Sequence, residues 1–383
     1  MNQQRLSQLD GIRGFLCLLV ILVHFPFKNS IFTDNFFINH AYVLVDLFFV
    51  LSGFVITLNY HDRISSPARL KSFLWSRFTR LFPLLFYTVI LFLIVELFYL
   101  SFLSQYSHHQ QTIKGALYST VETLTFMNAT PVFGNGPGMN YPSWSISAEM
   151  IAYCVFGFVM LGSPRRNKTW FIIILLLSIA LPVAKLNYDL EGDWGFVRAI
   201  ICFIMGNFSF RFYKRYENLK MFPLIEYVLP ILLVLFLYCR NLLDIHQLYA
   251  AKEMVTMMFI PPFFAFFIFT YSLSNGIIVK ALQGRFFQFI GKTSYSVYLN
   301  HAIVLFFINA LVENIFHLGN NVWVVNLVLF ASYPIIFLYS WYTWRIVEQK
   351  GRLLLSGKLK QPAKTVHDNA EPEVVPALNV VTQ

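Results

Sequence analysis

The chain has 383 residues, 57% of them hydrophobic, 18% aromatic and only 13% charged, with a formal net charge of +10. Soluble globular chains carry about 25% charged residues, so roughly half the usual solvating charge is missing and an array of soluble domains is excluded. The basic residues sit in short loops between long apolar runs, which excludes nucleic acid as the partner and points to a lipid bilayer.

A run of about 20 apolar residues crosses a hydrocarbon core. In chain order, spans are predicted over 7–25, 38–59, 79–103, 144–162, 169–186, 194–212, 222–239, 254–273, 294–312 and 322–346. The expected fold class is an all-α integral membrane protein of about ten transmembrane helices. Residues 1–350 form its membrane domain and 351–383 a polar cytoplasmic tail expected to be disordered. The first run contains Arg13 and His24 and lacks a small-residue cleavage site, so it reads as a retained helix and not a signal peptide. The amphipathic stretch 114–127 reads either as an interfacial helix or as a further short span, which would invert everything after it. Charge placement bears on that choice. With the N-terminus inside, the basic residues at 5, 63–80, 165–168, 211–220, 280–292 and 345–364 fall on the cytoplasmic side. Lys28, Lys114, Lys185, Arg240 and Lys252 fall outside. This asymmetry supports ten spans with both termini cytoplasmic.

Several features read as ordinary membrane-protein sequence. Cys17, Cys154, Cys202 and Cys239 lie in apolar runs without paired spacing and read as small hydrophobes. GNGPG at 134–138 lacks the Lys-Ser/Thr ending of a phosphate loop and reads as an outer loop. His108 and His109 are adjacent, which is not a metal-ligand spacing, and no metal is expected.

Ionisable groups inside a span are costly, and they face a cavity or a partner. Arg13 and His24 are 11 residues apart, about three turns plus 20°, so they share a helix face about 16 Å apart along the axis. In RFTRLFP, Arg77 and Arg80 are neighbours at i, i+3 at the inner mouth of the third span, directing two guanidiniums at one spot. Such forks suit phosphate oxygens, although basic residues there also bind lipid headgroups. PSWSISAE places Ser145 and Glu149 on one face beside Trp144, an expected interfacial anchor. Asp46 and Arg198 are charged groups in the outer halves of their spans. Tyr298 and His301, at i, i+3, are expected in the inner half of the ninth span, and Glu348 is expected to pair with Arg345. Depth therefore sorts His24, Glu149, Arg198 and Asp46 into an outer layer, and Arg13, Arg77, Arg80 and His301 into an inner one. That arrangement suits a cytosolic donor and an external acceptor.

Five segments, taken together and in order, resemble the membrane-bound acyltransferase-3 family. They are LDGIRGFLCLLVILVH, VDLFFVLSGFVIT, RFTRLFP, PSWSISAE and GKTSYSVYLNH. The resemblance implies a ten-helix bundle in the bacterial inner membrane that uses cytosolic acyl-CoA to acylate a glycan on the far side, such as O-antigen or exopolysaccharide. The chain looks like the form without a C-terminal hydrolase-like domain. The resemblance implies that His24 is catalytic and that Arg77 and Arg80 engage CoA phosphates. The expected site thus assigns His24, Arg13, Glu149 and Asp46 to catalysis. Arg77, Arg80, His301 and Tyr298 are assigned to an acetyl-CoA donor, and Trp144, Ser145 and Arg198 to the glycan acceptor. His24 serves either as the base that deprotonates a sugar hydroxyl or as a nucleophile that carries the acyl group, with Glu149 or Asp46 orienting its imidazole. The alternative is a transporter or flippase that uses the buried charges; the sequence shows no internal repeat in its support.

Overall fold

Backbone N–H and C=O groups in hydrocarbon have no water to bond, so a long apolar run is stable there only as a helix or in a closed barrel. The computed structural model describes residues 6–27, 29–32, 35–102, 112–132, 138–162, 164–184, 194–242 and 249–357, and among these the regular structure is helical. The helices are α1 (Ser7–Val23), α2 (Phe36–His40), α3 (Leu44–Tyr60), α4 (Pro67–Phe102), α5 (Ile113–Leu124), α6 (Ser143–Met160) and α7 (Pro164–Ala184). They continue with α8 (Gly195–Arg215), α9 (Ile225–Leu242), α10 (Tyr249–Leu273), α11 (Ile277–Leu282), α12 (Arg285–Asn309), α13 (Val322–Thr343) and α14 (Lys350–Leu355). A 3-10 turn at Ala41–Val43 leads into α3, and π-helical turns at Ala310–Ile315 and Trp344–Gln349 follow α12 and α13.

Seven of the helical segments are long and apolar enough to cross a bilayer. The other predicted spans coincide with α1, of 17 residues, and with shorter apolar stretches in α7 and α9. The protein is an all-α integral membrane protein. The stretch at 114–127 contains the 12-residue α5, about 18 Å long at 1.5 Å per residue, too short for a hydrocarbon core of about 30 Å. Asparagine and threonine side chains start several helices: Asn35 caps α2, Thr112 caps α5 and Asn321 caps α13. The GNGPG loop, apart from Gly138, and the tail from 358 onward lie outside the described residues, as do His108 and His109.

The bundle is organised around two close helix pairs. In α3 and α8, Gly53 lies against the backbone of Phe203, and Gly206 lies against that of Val50. A Cβ at either position would run into the opposing main chain. Without a hydrophobic drive between helices in lipid, such small-residue contacts supply close packing. The second pair is α1 and α12, where Gly291 lies against the carbonyl of Asp10 and Gly14 against that of Phe287. Lipid-facing side chains such as Leu327, Phe330 and Leu338 cover the periphery on α13.

An ion pair locks the first seam. Arg198 of α8 donates from Nε to Asp46 Oδ1 at 2.6 Å and from Nη2 to Asp46 Oδ2 at 3.2 Å, both side chains being buried. Arg198 also bonds the carbonyl of Tyr42 at 3.3 Å and stacks over Trp144 at 5.8 Å. A second buried carboxylate, Glu226, is placed by tertiary structure alone. It accepts from Ser274 Oγ at 2.5 Å and from the backbone N–H groups of Gly276, Ile278 and Val279 at 2.6, 2.9 and 3.1 Å, closing the start of α11.

Glu348 does not pair with Arg345. It accepts from Ser296 Oγ at 2.7 Å, while Arg345 stacks over Trp341 at 5.7 Å. The π-helical turn at Trp344–Gln349 explains this, because its wider winding takes the two side chains out of α-helical i, i+3 register.

Replacing Asp46 by Ala leaves the Arg198 guanidinium buried without its carboxylate and should cost about 3–5 kcal/mol. The expected readout is a clear fall in the thermal midpoint of detergent-solubilised protein. Pairing Asp46→Leu with Arg198→Met should recover most of the loss. Gly206→Leu should destabilise by at least about 1–3 kcal/mol through overpacking of the α3–α8 seam, while lipid-facing Leu338→Ala leaves the midpoint unchanged.

Candidate active site

The N-terminal end of α1 is held by amide side chains. Gln8 Nε2 reaches the carbonyls of Tyr271 and Ser272 at 3.4 and 3.3 Å, and Gln288 Nε2 bonds the carbonyl of Ser7 at 2.7 Å. Further along, Tyr333 OH donates to the carbonyl of Leu18 at 3.0 Å, and Cys17 Sγ donates to that of Ser294 at 3.3 Å. These bonds fix the rotation of α1 and with it the direction of Arg13 and His24.

Arg13 opens into a narrow cavity of about 70 Å³, enclosed by α1, α3, α4, α6 and α12. Arg80, Ser145, Glu149, Tyr295 and Tyr298 share its lining. Ser145 and Glu149 face the same space, as their i, i+4 spacing requires. Glu149 accepts from Tyr153 OH at 2.6 Å and from Ser52 Oγ, both at Oε1, and Oε2 has no donor among the described residues. Ser52 Oγ and Tyr153 OH are 3.0 Å apart, closing a three-membered network behind the carboxylate. Arg13 and Arg80 make no hydrogen bond to the described residues, and both feel the Glu149 charge. A buried guanidinium carries five donors, so this cavity presents two unspent forks and one carboxylate oxygen to whatever enters.

Arg77 and Arg80 do not point at one spot. Arg77 Nη2 donates to Tyr60 OH at 3.0 Å and to Ser76 Oγ at 3.3 Å, with the guanidinium 5.2 Å from the Tyr60 ring centre. Arg80 alone faces the cavity. An i, i+3 pair on one helix face separates when each member has a different neighbour, here α3 for Arg77 and the cavity for Arg80.

In the cavity lining, the Ser145 and Tyr298 hydroxyls are 2.7 Å apart. One turn outward, His301 Nε2 lies 3.2 Å from His24 Nδ1. His301 thus belongs at the level of His24 and not in an inner layer. The reason is the length of α12: it starts at Arg285, nine residues before the predicted span, so His301 is well advanced along the helix. The ring of His24 also meets Tyr141 edge-on, with centroids 5.5 Å apart. Tyr141 belongs to a short strap that ties to α5 through Met139 N–H donating to Thr123 Oγ1 at 3.0 Å. Asn140 Nδ2 anchors the same strap to α12 by donating to the carbonyl of Leu299 at 3.2 Å.

Neither Glu149 nor Asp46 bonds to His24: the first is engaged by Ser52 and Tyr153, the second by Arg198. Trp144 is not an interfacial anchor. It is 4% exposed, packed between Arg198 and Phe49, whereas Tyr141 is 47% exposed beside His24. Arg198 is likewise buried. Sequence reasoning gave no role to Ser52 or Tyr295, which lie in the family-like segments, and did not single out Tyr153, Asn140 or Tyr141. Tyr153 was accessible, since it stands at i+4 from Glu149; the others come together only through helix packing.

The sequence model of a family described as an acyltransferase domain, acyltransferase-3, matches residues 6–344. A curated relative, "Protein 2 in picA locus" of Rhizobium radiobacter, is 27% identical over 197 residues, which is 48% of this chain and 97% of the relative. No solved structure matches significantly. With the family match spanning nearly the whole helical bundle and its charged cavity, the chain belongs to the acyltransferase-3 family and is a multi-pass membrane acyltransferase.

Proposed function

We propose that this protein transfers an acetyl group from cytosolic acetyl-CoA to a hydroxyl of a cell-surface or exported glycan across the bacterial inner membrane. The observation that carries this reading is the placement of α1. One helix sets Arg13, with Arg80, in a cavity holding two guanidiniums that make no hydrogen bond to the described residues, and sets His24 beyond it beside an exposed aromatic ring. At about 70 Å³ the cavity is too small for a nucleotide, which remains at the inner mouth while the phosphopantetheine arm of CoA reaches inward. Arg80 then takes phosphate oxygens of the donor, a match of fork and anion. Arg13, about 16 Å from His24 along the axis of α1, supplies donors to the phosphopantetheine arm and leaves the thioester to reach His24.

The chemistry balances simply. The acceptor oxygen bonds to the thioester carbonyl carbon, the C–S bond breaks, and the hydroxyl proton ends on the CoA sulfur. His24 serves as the base that moves this proton, or as the nucleophile that holds the acetyl group between two half-reactions. Glu149, which lines the cavity, balances the charge of the two arginines.

The test supplies labelled acetyl-CoA to the cytoplasmic face of oriented membrane vesicles and follows label into the glycan. His24→Ala should lower transfer by about 10²–10⁴-fold at equal protein abundance. Label with neither wild type nor variant would overturn the choice of donor and favour a transporter. A second comparison separates the two arginines. Arg80→Ala should raise the KM for acetyl-CoA by about tenfold or more, the loss of at least one charge-assisted bond. Arg77→Ala should raise it much less, because Arg77 is turned to Tyr60.

A further inference from the structure

We infer that His301 is the positioning residue for His24, setting its tautomer and ring direction, and that it is not a contact of the donor. This rests on the reading of His24 as the base or nucleophile. The hydrogen-bond geometry leaves one consistent proton assignment. His301 Nδ1 lies 3.3 Å from the carbonyl of Val297, one turn back on α12. A carbonyl only accepts, so this Nδ1 carries the hydrogen. His301 is fully enclosed and no carboxylate bonds to it, so the neutral ring is the stable form and its Nε2 is a bare lone pair. His24 Nδ1 faces two acceptors, that lone pair at 3.2 Å and the carbonyl of Val20 at 3.0 Å. It must therefore carry a hydrogen of its own.

With Nδ1 of His24 protonated, its Nε2 is the free lone pair, which is the atom that a proton-accepting or nucleophilic imidazole uses. The arrangement has the logic of a base held by an orienting group, with a neutral imidazole where a carboxylate is the usual partner. When His24 Nε2 receives the acceptor's proton, the resulting cation is stabilised by two acceptors on its Nδ1–H. On the other face, Tyr141 limits rotation of the ring. Carbonyls four residues back on each helix support the two imidazoles as well, so the pair is preorganised. The cavity that faces Arg13 and Arg80 is lined by neither histidine, and His301 is fully enclosed whereas His24 is half-buried beside exposed Tyr141, so of the pair His24 is the ring open to reacting groups.

Two measurements test this on the full-length protein in membranes. The first is solid-state ¹⁵N NMR of histidine-labelled wild type, with signals assigned by loss in His24→Gln and His301→Gln. Both rings should appear neutral and protonated at Nδ1. A His24 ring protonated at Nε2 would overturn the proposal, and this readout does not depend on any turnover. The second is release of free CoA thiol from acetyl-CoA. His301→Phe should lower kcat by about 10²-fold with the KM for acetyl-CoA within twofold of wild type. His301→Gln, which retains an acceptor oxygen, should recover part of that loss. A raised KM with unchanged kcat would make His301 a donor contact and sink the inference, as would two unchanged constants. Absence of thiol release by the wild type would instead refute the acetyl-CoA reading, leaving the NMR assignment to decide the role of His301.

Discussion

Hydrocarbon offers no water to a charged side chain, so every ion in the bundle must be paid for by a partner or by a purpose. That constraint divides the buried charges into two groups. Asp46 and Arg198 satisfy one another in a two-point bond, and Glu226 is saturated by a hydroxyl and three backbone N–H groups. These groups hold helices together and have nothing left to offer a substrate. Arg13 and Arg80 make no hydrogen bond to the described residues, and with Glu149 they line one small cavity. In a medium of low dielectric, unspent donors of this kind act strongly on a bound anion or a growing negative charge.

The geometry of that cavity depends on α1. Its inner turn is gripped by Gln288 and the backbone of α10, and its middle rests on α12 where glycines allow the two main chains to touch. Close backbone contact leaves no room for side-chain rearrangement, so the helix has little freedom to rotate. Arg13 and His24 are therefore held in a fixed relation, one toward the cavity and the other against His301. The α3–α8 seam plays the equivalent role opposite, presenting Ser52 to Glu149 and burying Trp144 beneath Arg198. Stability and function thus use the same small-residue seams.

Hydropathy located the apolar segments but not the helix ends. Helices α4, α12 and the α13–α14 arm all extend past the predicted spans, because backbone hydrogen bonding continues into amphipathic turns where the apolar signal stops. For α12 the difference matters, since it brings His301 to the level of His24. The same limit applies to pairs argued from spacing. Ser145 and Glu149 stay together because one cavity faces both, whereas Arg77 and Arg80 part because their neighbours differ. Spacing states which side chains share a helix face; the neighbouring helices decide what each one meets.

From the residues alone came the membrane class, the approximate positions of the helices, the shared face of Arg13 and His24, and the short roll of intramembrane charges that contains the site. These follow from local quantities: apolar length, helical period and the cost of charge in lipid. Tertiary structure alone decided that Asp46 belongs to Arg198, that Glu149 belongs to Ser52 and Tyr153, and that the partner of His24 is another histidine, 277 residues away in the chain. Those pairings join different helices, and no periodicity along one helix specifies which face of another will be packed against it.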